Sequence, residues 1–82
     1  MTLARNLGRR DREVLGALGR AVRRERALKG LSQERVAVQA GLFPQHLSRI
    51  ERAEVDVRLT TLARLAEALG VTVGHLVDGG RQ

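Results

Sequence analysis

The chain has 82 residues, no cysteine, one aromatic residue (Phe43) and a formal net charge of +6. That length leaves room for one domain with one modest core, and the lack of cysteine excludes disulfides and thiolate metal sites. A single aromatic ring is too few for the stacking platforms that grip RNA or single strands, and no apolar run suits a signal peptide or membrane span, so a cytoplasmic protein is expected.

The charge is unevenly placed. Residues 1–29 carry nine basic and three acidic groups, whereas residues 30–82 carry six of each. A polyanionic partner is the simplest functional meaning of that asymmetry; solubility alone is the other.

Residues 1–14 form a basic, weakly patterned extension, suited to an arm along a phosphate backbone or an extra helical turn. Asp11 is expected to cap a first helix whose opening turn contains Glu13. Leu15, Leu18, Ala21 and Val22 form its apolar stripe, with Arg20, Arg23, Arg24 and Lys29 outside it. Gly16 and Gly19 weaken its early turns by about 1 kcal/mol each relative to Ala, and Gly30 closes it. Leu31 then plugs the core and Ser32 caps a second helix, which turns Val36, Ala37 and Ala40 inward.

Gly41 supplies a tight turn with positive φ. Phe43 stands where a side-chain cap is expected and cannot accept the free amides, a loss partly offset by Pro44 at the first helical position. In the helix 44–52, Leu47 and Ile50 face inward, while Gln45, Ser48, Arg49 and Arg52 follow the complementary spacing and face out. An amide, a guanidinium and a small hydroxyl on one face have the chemistry that reads DNA base edges and phosphates. Glu51 follows the inward pair closely enough for partial burial, where an unpaired charge is costly.

The segment 53–57 is a loop without glycine. Arg58 occupies the capping position of the fourth helix, leaving Asp56 or solvent to cap it, and Leu59, Leu62, Leu65, Ala66 and Leu69 form its inward stripe. Thr72 caps a last short helix whose Leu76 faces in, and residues 79–82 form a frayed tail. The sum is five short helices, a compact all-α domain over residues 15–78 with a helix-turn-helix at about 33–52.

In this order and spacing, the Leu31–Glu51 run (LSQ…A…G…LSRIE), the Thr61–Val71 run (TLARLAEALGV) and the Val73–Leu76 close resemble the lambda-repressor-like Cro/CI, or XRE, family. A weaker likeness is to the controller proteins of restriction–modification systems. The resemblance implies sequence-specific binding of double-stranded DNA by a transcription regulator, with Gln45, Ser48 and Arg49 at base edges. It implies phosphate contacts from Gln33 and Arg52, to which His46 and the basic Arg23 are added, and a structural ion pair between Arg26 and Glu51. Departures from the family pattern are Phe43, Pro44, Ala53 and Arg58.

One recognition helix reads only a half-site, so a homodimer on a short pseudo-palindrome is expected, with Val73, His75 and Val77 at the contact. The rival reading is a protein-interaction module of antitoxin or adaptor type with DNA binding secondary. His46 and His75 have no carboxylate–histidine cluster around them at metal-ligand spacing, and Glu51, Glu54 and Asp56 have no serine–histidine partner. No metal, cofactor, small-molecule effector or catalysis is expected.

Overall fold

Five α-helices account for most of the residues described by the structure, a computed structural model covering residues 7–79. They are α1 (Arg9–Lys29), α2 (Gln33–Ala40), α3 (Pro44–Glu51), α4 (Leu59–Leu69) and α5 (Val73–Val77). The all-α five-helix reading is therefore correct, except that α1, at 21 residues, is not short.

The start of α1 also differs from expectation. Gly8 occupies the N-cap, and Asp11 sits three residues on, its carboxylate accepting the Gly8 N–H at 3.1 Å. A carboxylate in the first turn can reach back to a free amide as well as cap from outside, and both placements suit the positive helix end. The helix thus begins inside the stretch expected as an extension. Residues 1–6 of the expected extension over 1–14, and the last three residues of the tail, lie outside the described residues.

The core gathers Leu15, Leu18, Ala21 and Val22 of α1, Val36, Ala37 and Ala40 of α2, and Leu47 and Ile50 of α3. It is completed by Leu62, Leu65, Ala66 and Leu69 of α4 and by Leu76 of α5. α1 lies across α3, α5 and α4, while α2 packs on α4 and α3. The α1–α3 approach is close enough that backbone meets backbone. A Cβ built on Gly19 would come within 2.5 Å of the Glu51 carbonyl oxygen and 2.9 Å of that of Ile50. Gly19 therefore sets how closely the end of α3 is held.

Two expectations for α4 are corrected. Leu59 is 72% exposed, and Thr61 is buried in its place. At 100° per residue the buried set centres between Thr61 and Leu62, and Leu59 falls about 90° from that centre, at the edge of the stripe in the first turn. Asp56 does not cap the helix. Its carboxylate accepts the neighbouring Val57 N–H at 2.9 Å, and Arg58 at the N-cap makes no side-chain cap bond. By contrast, Ser32 and Thr72 do cap α2 and α5, accepting from Arg35 and His75 amides.

Candidate nucleic-acid interface

The α2–turn–α3 unit is built by local chemistry. Gly41 takes φ 70°, and the Gly41 and Leu42 amides donate to the Val38 and Ala37 carbonyls at 3.2 and 2.8 Å. This paired closure ends α2 in the left-handed conformation that a glycine adopts without Cβ strain. Phe43 is the N-cap of α3 without a side-chain cap bond. Pro44 follows, and the Phe43 carbonyl accepts the His46 and Leu47 amides at 3.0 and 3.1 Å.

Burial of Leu47 and Ile50 fixes the rotation of α3 and turns its other side to solvent. Gln45, Arg49 and Arg52 are exposed there, and Ser48 is half-buried. Gln45, Ser48, Arg49 and Arg52 line one open depression of about 330 Å³, and Phe43, Gln45, His46 and Arg49 line a second of about 190 Å³. The structure thus brings Gln45, Ser48, Arg49, Arg52 and half-buried His46 onto one surface. Arg23 is exposed on α1 and lines neither depression.

Arg52 is held by its neighbours. Its Nε and Nη2 donate to the Glu54 carboxylate at 2.9 and 3.2 Å, and its Nη1 donates to Ser48 Oγ at 2.8 Å. The bonded guanidinium holds the Glu54 carboxyl below its ordinary range. Exposed ion pairs of this kind are worth little, so a phosphate can exchange with Glu54 without disturbing the fold.

Behind α3 lies a buried ionic network. The Arg26 Nε and Nη2 donate to the two oxygens of Glu51 at 2.7 and 3.1 Å, and Arg26 Nη1 donates to the Leu31 carbonyl at 3.0 Å. The Gln33 side-chain amide donates to Glu51 Oε1 at 2.8 Å. The Glu51 side chain is 2% exposed and that of Arg26 20%. One carboxylate thereby ties α1, the start of α2 and the end of α3 together. Gln33 is committed to this network in the free protein; the Arg35 amide is taken by the Ser32 cap, whereas the Gln33 and Glu34 amides have no intrahelical acceptor and can face an anion.

On the far side of α1 lies a second buried carboxylate, Glu25, which is not among the expected site residues. Glu25 accepts from Lys29 Nζ at 2.8 Å, and His75 Nε2 lies 2.8 Å from its other oxygen. An ionised carboxylate only accepts, so the facing ring nitrogen carries the proton. The Lys29 hydrogen bond first, and the His75 bond second, lower the Glu25 pKa against the effect of burial. The signal was present in the sequence: Glu25 continues the Leu18, Ala21, Val22 stripe, with a lysine one turn on. His75, expected at a dimer contact, turns its ring to α1; Val73 is half-buried and Val77 exposed. Among the described residues no buried side-chain nitrogen or oxygen lacks a hydrogen-bond partner.

Among the same residues no helix is long and apolar enough to cross a membrane, and no group of three or more histidine, cysteine or acidic side chains could hold a metal ion.

Residues 17–78 match a family described as a helix-turn-helix domain. An uncharacterized HTH-type transcriptional regulator of Sinorhizobium fredii, y4dJ, is 41% identical over 66 residues, 80% of this chain and 82% of that protein. The control protein C.SmaI of Serratia marcescens is 40% identical over 65 residues, 79% of this chain and 77% of that protein. Among solved structures, the restriction-modification controller protein C.AhdI of Aeromonas hydrophila superposes with a TM-score of 0.73 at 35% identity. That match covers 76% of this chain and 94% of that one.

Proposed function

The chain belongs to the helix-turn-helix family of DNA-binding regulators of the Cro/CI type, and from that premise we propose a specific mode of action. The protein reads the major groove of double-stranded DNA with the outer face of α3 and binds as a homodimer to a short pseudo-palindromic operator. The observation that carries this reading is the surface shared by Gln45, Ser48, Arg49 and Arg52, an amide, a hydroxyl and two guanidinium groups on one helix side. Gln45 and Arg49 lie one turn apart, so both reach base edges when α3 enters the groove end-on. Arg49 donates two parallel bonds to guanine, Gln45 pairs with adenine, and Ser48 allows close approach. Arg52, His46, Arg23 and the start of α2 at Gln33 hold phosphates and set the register.

Selection of bound duplexes from a randomised library supplies the site, and Arg49→Ala then tests the assignment. The variant loses about 1–3 kcal/mol of affinity on the selected site, as for a lost bidentate guanine contact, and little on random duplex. Equal weakening on both would make Arg49 a phosphate contact and overturn its role as a reader.

A further inference from the structure

Phe43 is the sole aromatic residue of the chain, and it is 81% exposed. It occupies the N-cap of α3, a position that favours Ser, Thr, Asp or Asn, and it leaves the first amides of the helix without a side-chain acceptor. A phenyl ring in water at a capping position contributes nothing to the fold that explains its presence. Among the described residues the other strongly exposed apolar side chains, Leu28, Val38 and Leu59, belong to α1, α2 and α4. Phe43 adjoins the outer face of α3, where it shares an open depression of about 190 Å³ with Gln45, His46 and Arg49.

We propose that Phe43 is a specificity-determining residue that packs against the 5-methyl group of a thymine in the major groove. The inference rests on the groove-reading mode above. A helix that enters the groove by its N-terminus brings its N-cap to the base edges with the first turn. There the thymine methyl is the one apolar feature that a base presents, and a phenyl ring is among its apolar partners. Gln45 and Arg49 flank the ring with donors, so a thymine beside Phe43 is read by its methyl while its neighbours are read by hydrogen bonds. Pro44 presets the backbone next to the ring, which limits the conformational freedom that Phe43 loses on binding.

The test uses the full chain and the operator selected from a randomised duplex library. Each thymine is replaced in turn by deoxyuridine, which removes only the methyl group, and binding is measured for the natural protein, Phe43→Ser and Phe43→Leu. The natural protein loses about four-fold in affinity at one thymine per half-site, the scale of one buried methyl group. Phe43→Ser is indifferent to that replacement, and Phe43→Leu restores a partial response. The serine variant gains a cap, so its folding is not at risk, and a raised melting temperature confirms it. Deoxyuridine tolerated at every thymine, or an equal loss in the natural and serine proteins, overturns the role of Phe43 while leaving the groove-reading mode intact. A library that returns no common sequence overturns both.

Discussion

At the scale of single residues, the two buried glutamates have different duties. Glu51, at the end of α3, accepts three hydrogen bonds from Arg26 and Gln33. Removing it strands a guanidinium that keeps only modest access to water. Glu51→Ala should therefore cost about 3 kcal/mol, the low end for breaking a buried pair, a large share of the stability of a small domain. Urea denaturation without DNA measures it, and an unchanged midpoint would show that the network is dispensable. Glu25 makes stability depend on acid. Its folded-state pKa lies below the ordinary 4.5 because Lys29 and then His75 hydrogen-bond to the ionised form. Its contribution is complete above pH 4.5 and is lost as pH falls through the lower folded-state value. Melting temperatures followed downward from pH 5 should drop less steeply for Glu25→Gln than for the natural chain; parallel curves would exclude Glu25 as a source of the acid sensitivity.

At the scale of helices, Gly16 and Gly19 distinguish propensity from packing. Both lie within α1, where alanine is favoured over glycine by about 1 kcal/mol. A Cβ at Gly16 meets only the end of the Arg20 side chain, at 3.3 Å, which can move aside. At Gly19 the obstacle is the backbone carbonyl of Glu51 at 2.5 Å, which cannot move without shifting α3. Gly16→Ala should raise the melting temperature and Gly19→Ala lower it, with weakened DNA binding in the second because the reading helix is displaced. Two stabilised variants would mean that α1 and α3 separate at little cost. In the sequence only helix propensity bears on these two glycines, because a close approach between helices distant in sequence leaves no local mark. The helix-turn-helix was legible for the opposite reason. The Ser32 cap, Gly41, Pro44 and the spacing of Leu47 and Ile50 are signals within one or two turns of what they determine. Where a residue type has two local uses, as with Asp11 at the cap or in the first turn and Asp56 toward Val57 or α4, sequence does not choose between them. The outer face of α3 was legible as the complement of its buried face, whereas the ties of Gln33 to Glu51 and His75 to Glu25 depend on the tertiary fold.

At the scale of the whole molecule, the proposed mode asks one small helix-turn-helix domain to select a DNA site. The longest extent of the described domain is 33 Å and it carries one α3, so in the proposed mode a single copy spans about one turn of duplex and contacts a half-site. In the proposed dimer, two copies related by a two-fold axis would place their α3 helices about 34 Å apart on the same side of the DNA. For the proposed contact α5 offers Val77, exposed, and Val73, half-buried. The His75 ring is engaged with Glu25, so the apolar part of the contact falls to the two valines, and such a small patch suits a dimer that DNA completes. Sedimentation of the protein with its selected duplex should show two chains per duplex at micromolar concentration. Val77→Glu, which alters an exposed position and leaves the core intact, should reduce that to one chain per duplex with an unchanged melting temperature. A complex of one chain per duplex in the natural protein would defeat the dimer outright, and two chains retained by Val77→Glu would move the contact away from α5.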